Sequence, residues 1–151
     1  MKKFMQKKLN QKGLTLVELL AVIVILGIIA AIAVPAIGNI IENTKYNAVK
    51  SDALNALNSA NLLYAEDQNA KDVTVKTLVD GGYLDGKGKL TDGMTIAKSA
   101  NNVVSISGTT GEYAGGKKVT FTSATVETIN TDKTKGSTAN DKNISGAVTS
   151  P

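Results

Sequence analysis

From Leu19 to Ile37 the sequence reads LLAVIVILGIIAAIAVPAI, nineteen consecutive residues without a polar side chain. As a helix, that run is long enough to cross a hydrocarbon core of ~30 Å. Nothing else in the chain constrains its fold as strongly. A length of 151 residues corresponds to about one domain, and so apolar a run has to be covered by lipid or by protein. The charge distribution points the same way. There are 17 basic residues, all of them lysine, against 13 acids, for a net charge of +4. Lys2, Lys3, Lys7, Lys8 and Lys12 all precede the apolar run. The remaining twelve lysines face all thirteen acids. The basic excess therefore belongs to a short leader and not to a nucleic-acid-binding surface. A Lys-rich flank of this kind is expected to stay cytoplasmic, with the rest of the chain on the far side of the membrane.

Composition narrows the function classes. The chain has no Cys, no His and no Trp. That excludes a disulfide framework, a thiol nucleophile and a zinc thiolate site. It also removes the commonest general base and makes a Ser-His-Asp triad impossible. Two Phe and four Tyr are a thin supply for stacking on bases. The expectation is a non-enzyme with no cofactor and no metal.

Helical patterning continues beyond the apolar run. Val49, Ala53, Ala56, Ala60 and Leu63 follow the spacing of one helical face, with Asn55, Asn58 and Asn61 off it. A helix from residue 14 to about Asn69 would be about 84 Å long at 1.5 Å per residue. No globule of this size encloses such a rod, so its apolar half is expected to protrude. After Asp72 the pattern changes. A short helical segment is expected at Val75 to Val79, among Gly and Asp turn signals. Alternating or β-branched runs at 94–98, 102–108, 117–123 and 124–130 read as three or four antiparallel strands, with a hairpin loop at 108–116. The polar tail from Thr131 to Pro151 reads either as frayed or as carrying one edge strand around Ile144.

The informative residues stand where the leader meets the apolar run: Lys12-Gly13-Leu14-Thr15-Leu16-Val17-Glu18. Glu18 lies one turn inside a membrane-type helix. Insertion scales put a charged group at a bilayer centre at about 2.5–3.5 kcal/mol, and less near the interface. It calls for a cationic partner, and only the leader lysines are within reach on its own helix. Gly27 and Pro35 are weak points of that helix. Pro35 has no N–H, so the Ala31 carbonyl loses its bond, and glycine costs about 1 kcal/mol relative to alanine.

This motif resembles the class III signal of type IV pilins and of the pseudopilins of type II secretion and competence systems. The plan of short basic leader, long helix and small C-terminal sheet resembles theirs as well. The resemblance implies cleavage by a prepilin peptidase between Gly13 and Leu14 and N-methylation of Leu14. Phe is the usual residue at that position, and Leu keeps its hydrophobic character. It further implies that Glu18 meets the Leu14 amine of a neighbouring subunit, so that cleavage gates assembly. The spacing of Gly27 and Pro35 resembles that of pilins whose helix partly melts between them in the fibre. The missing cysteines exclude the C-terminal disulfide loop of many Gram-negative pilins and lean toward a Gram-positive source.

The expected fold is α+β, a long N-terminal helix whose outer half packs on a small antiparallel sheet. Expected boundaries are a cleaved leader at 1–13, a transmembrane and filament-core half at 14–40, and an extracellular head at 41–151. Within the head, 41–70 is amphipathic helix, 71–130 loop and sheet, and 131–151 polar tail. The expected function is that of a major-type pilin. It would pass through the cytoplasmic membrane and polymerise with its own kind on the cell surface. Its partners would be the prepilin peptidase, a membrane assembly platform and a cytoplasmic ATPase, with nucleic acid not expected.

A pseudopilin shares the motif and stays open as the alternative. A secreted or membrane-anchored binding protein is the competitor from another class. An ordinary secretory signal, cut near Ala31-Ile32-Ala33 or Val34-Pro35-Ala36, or a plain anchor would leave Glu18 unexplained. Two G-x-x-x-x-G-K stretches, Gly81 to Lys87 and Gly111 to Lys117, lack the Ser or Thr of a phosphate loop and read as turns. Asp85 and Asp92 read as a solvated turn, because Lys87 and Lys89 occupy the positions calcium ligands would need. The head lysines read as a solvated face.

Overall fold

The apolar run and the amphipathic stretch after it form one helix, α1 (Lys2–Glu66), with Pro35 inside it. The structure is a computed structural model that describes residues 2–138 and 140–146, with side chains from Thr15 onward. Two compact units make up the chain, Met1–Asn39 and Ile40–Pro151. The first is helix. The second is an α+β head that includes the last part of α1, and together they give a pilin-like layout.

In the head, Val49, Ala53, Ala56, Ala60 and Leu63 are all buried, while Asn55, Asn58 and Asn61 are exposed. Tyr46, Leu57 and Tyr64 widen the buried stripe. These residues share one core with Ile96, Ile106, Val119, Phe121 and Ile144 of the sheet. α1 ends at Glu66 rather than near Asn69. The last helical bond runs from the Asp67 N–H to the Leu63 carbonyl at 2.8 Å. The Asp67 carboxylate then accepts the Asn69 N–H at 3.0 Å, a local turn that competes with helix continuation.

A two-residue strand, β1 (Val73–Thr74), leads into α2 (Val75–Asp80). The Thr74 hydroxyl caps α2 by accepting the Thr77 N–H at 3.1 Å. β2 (Thr95–Lys98), β3 (Val104–Thr109) and β4 (Val119–Thr125) follow as an antiparallel meander. Ile96 pairs with Ile106, and Ile106 with Ala124, so three buried side chains cross the sheet in register. A bulge lies between Ile106 and Gly108. Gly108 has φ +134°, and a Cβ there would come within 2.7 Å of Met94 Cγ, so only glycine fits.

Three expectations need correction. Residues 124–130 do not form a strand of their own. β4 stops at Thr125, and α3 (Val126–Thr131) begins. The Thr125 hydroxyl accepts the Thr128 N–H at 3.3 Å while the Thr128 hydroxyl accepts the Thr125 N–H at 2.9 Å, a reciprocal cap that overrides the β-branched composition. The sheet is not wholly antiparallel either. Its order is β1-β2-β3-β4-β5, and β5 (Lys142–Ser145) lies parallel to β4. The crossover supplied by α3 and the loop after it makes that direction possible. Ile144 does sit in an edge strand and is buried. Lastly, the head lysines are not uniformly solvated. Lys142 is buried, and its ammonium donates to the main-chain carbonyls of Thr138 and Asn140.

Candidate assembly site

Sixteen large apolar side chains between Leu16 and Ile41 are exposed. They include the consecutive run Val22, Ile23, Val24, Ile25 and Leu26. At 100° per residue such a run covers every side of the helix, the signature of a segment buried in lipid or in a larger assembly. Full burial of an exposed side chain of this size contributes about 1.5–3 kcal/mol, and these, half to three-quarters exposed, have a correspondingly smaller part of that to gain. From Thr15 on, the described part of α1 meets the length and hydropathy of a membrane span.

Glu18 is exposed within this segment. The ion pairs among the described residues are those of Lys50, Lys76, Lys87 and Lys117, and none involves Glu18. Gly13 and Leu14 belong to α1, but their side chains lie outside the described residues. A Cβ at Gly27 would meet nothing within 4 Å. That glycine is therefore open to a neighbour's close approach. Pro35 stands inside the helix, where the Ala31 carbonyl loses its i+4 donor. Membrane helices tolerate such a defect better than exposed ones.

The base of the head, around residues 42–50, is held by contacts the sequence did not announce. Tail residues 132–137 form a strap across this part of α1. The Tyr46 hydroxyl donates to the Asp132 carboxylate at 2.7 Å. The Lys50 ammonium donates to the Asp132 carbonyl at 2.8 Å and lies 3.3 Å from its carboxylate. The Ser137 N–H donates to Asn43 Oδ1 at 3.0 Å, and the Tyr113 hydroxyl to the Gly136 carbonyl at 2.9 Å. Lys117, on the β3–β4 hairpin, pairs with Glu42 at 2.6 Å. A Cβ at Gly136 would stand 2.4 Å from Tyr46 Cβ and 2.7 Å from the Glu42 carbonyl oxygen. The strap can therefore lie this close only with glycine there.

These groups set one another's protonation. Burial pushes the Tyr46 hydroxyl well above its ordinary value, and the Asp132 hydrogen bond and charge push it further. It stays a donor. Burial opposes ionisation of Asp132, yet hydrogen bonds from Thr134, Tyr46 and Lys50, with the Lys50 charge, outweigh it and lower its pKa. No single residue type in the tail signals the strap. Only the juxtaposition of Asp132 with Tyr46 and Lys50, more than eighty positions away, reveals it.

The remaining candidates resolve into turns. Gly81 and Gly82 terminate α2, and Gly111 to Lys117 forms the hairpin closed by the Ala114–Lys117 bridge. Neither stretch opens a helix. Asp92 pairs with Lys87 at 2.6 Å, and Asp85 is exposed.

Residues 8–34 match the family model of the prokaryotic N-terminal methylation motif, the class III signal of type IV pilins and pseudopilins. The chain therefore carries the signal of a pilin-like or pseudopilin precursor, and that signal implies processing by a prepilin peptidase. No curated protein and no solved structure matches the chain significantly.

Proposed function

We propose that this chain is the major-type structural subunit of an extracellular type IV pilus. The observation that carries the reading is the methylation motif at residues 8–34, placed at the head of a segment exposed and apolar on every side. On this reading a prepilin peptidase cuts between Gly13 and Leu14 and methylates the new Leu14 amine. Residues 14–40 anchor the precursor in the cytoplasmic membrane, and in the fibre they exchange lipid for one another. An unpaired carboxylate in lipid is costly. Glu18 gains a cation when it meets the Leu14 amine of a neighbouring subunit, and docking is favoured only after cleavage has created that amine. The Gly27 and Pro35 positions are where the helix gives way most readily during the transfer. Residues 41–151 form the fibre surface. A membrane platform and a cytoplasmic ATPase supply the work, and the chain itself acts by polymerising and not by catalysis.

The pseudopilin reading draws on the same motif and the same segment. Two measurements on membranes and on sheared surface material test the proposal. Mass spectrometry of the N-terminal peptide is expected to find N-methylated Leu14. A start near Val34 or Ile37 would overturn processing at Gly13, and an intact Met1 would overturn the filament reading altogether. Electron microscopy of the sheared fraction is expected to show long fibres containing the chain. Methylated chain confined to membranes, without fibres, would favour the pseudopilin.

A further inference from the structure

Lys45, Lys133 and Lys135 are exposed, and none of the ion pairs among the described residues uses them. All three stand at the base of the head. Lys45 lies one turn of α1 beyond Ile41. The strap carrying Lys133 and Lys135 is hydrogen-bonded to Asn43, Tyr46 and Lys50. The acids of this region are engaged elsewhere. Glu42 is paired with Lys117, Asp132 is held by Tyr46 and Lys50, and Asp141 accepts the Lys118 N–H at 2.8 Å. Between α1 and the strap lies an open concavity of about 270 Å³, whose polar lining includes Asn43, Asn47, Lys50, Asp132, Lys133 and Lys135. Its chemistry is ammonium groups beside neutral amide and hydroxyl donors, with one carboxylate, Asp132, already engaged by Tyr46 and Lys50; Lys133 and Lys135 are the cations left over.

The order along α1 matters as much as the charge. Ile40 and Ile41 are 62% and 48% exposed and open the head unit. At 1.5 Å per residue Lys45 follows about 6 Å beyond Ile41, and Asn47 about 9 Å. The polar layer of one leaflet is about 5–8 Å deep. Apolar, basic and amide side chains thus succeed one another at the spacing of hydrocarbon, headgroup and water.

We propose that the base of the head seats the phosphate of anionic phospholipid headgroups, in the bilayer that residues 14–40 span before assembly. The inference rests on the membrane-anchored reading of that segment. Lys133 and Lys135 face a phosphate in the concavity from the strap, and Asn43 and Asn47 offer amide donors; Lys45, on the face of α1 turned away from the strap, adds its charge toward a neighbouring headgroup. Each exposed lysine near an anionic surface adds roughly a fivefold preference for the seated head. The attraction is salt-sensitive, because the Debye length falls below about 5 Å at about 0.5 M salt.

The test uses the full chain, isotopically labelled, in lipid nanodiscs holding one chain each. Discs of phosphatidylcholine alone are compared with discs containing phosphatidylglycerol, both doped equally with a headgroup-chelated gadolinium lipid. Paramagnetic broadening of the residue 132–137 amides is expected to rise several-fold in the anionic discs and to fall back at about 0.5 M salt. Lys45→Gln, Lys133→Gln and Lys135→Gln together should abolish the rise, whereas Lys71→Gln, in the loop between α1 and β1, should leave it unchanged. Equal broadening in both lipids, or a rise that survives the triple variant, would overturn the proposal. A rise seen only with two chains per disc would overturn it in favour of a second copy of the chain. Failure of the chain to enter either disc would overturn the spanning reading beneath it, a distinguishable result.

Discussion

Two carboxylates show how differently one functional group is used in this chain. Asp132 has its cation and its donors supplied from within the head. Glu18, in the apolar segment, pairs with none of the described lysines. The folded-state pKa of Asp132 is lowered, so its contribution is fully present above the unfolded value of about 3.9 and is lost as pH falls through the folded one. Asp132→Asn should cost about 1–3 kcal/mol at neutral pH, the range for breaking a part-buried hydrogen bond to a charged partner. It should also flatten the acid dependence below about pH 4. Urea unfolding at neutral and acid pH reads both effects. An unchanged midpoint at neutral pH would mean that the strap does not stabilise the head. Glu18→Ala should leave membrane insertion and cleavage intact but reduce fibre yield. Normal yield in sheared fractions from the mutant would sink the pairing with Leu14.

At the scale of elements, what was legible depended on how local the cause was. The buried stripe of α1 could be read from spacing, because Val49 to Leu63 repeat on one face whatever lies opposite. The hairpin between β3 and β4 was equally visible in its glycines. α3 was not, since Val126, Thr128, Ile129 and Thr131 have strand composition. A Thr at the third helical position also replaces the Glu or Gln that usually announces a capping box. Thr125→Ala should therefore destabilise the head by about 1 kcal/mol, seen as a lower urea midpoint with an unchanged slope. No shift would mean that Ile129 burial alone holds α3. The parallel direction of β5 was illegible for a different reason: it is decided by the path of the crossover, not by the residues Lys142 to Ser145 themselves.

For the molecule as a whole, the two units answer to different solvents. Residues 40–151 contain a core that runs from Tyr46 to Ile144, whereas the segment before them exposes apolar side chains on every side. A chain beginning near Ile40 should accordingly be soluble and monomeric, with cooperative unfolding, by size-exclusion chromatography and circular dichroism. Persistent aggregation would argue that the α1 stripe needs the preceding residues to pack. The methylation motif was legible because it is a contiguous string that a peptidase must read linearly. The base of the head was not, because it is assembled from Asn43 to Lys50 and Asp132 to Ser137 only after folding.

The strap also determines how the head bears force. A load drawn through α1 reaches the rest of the head first at residues 42–50. There Asn43, Tyr46 and Lys50 are fastened to the strap, and Glu42 to the hairpin, side by side rather than one after another. Bonds arranged in this way share tension and rupture together, and, being hydrogen bonds and ion pairs, they re-form when the tension drops. With no disulfide available, these fastenings are indifferent to reductants, and behind them the buried face of α1 from Tyr46 to Tyr64 takes up the load.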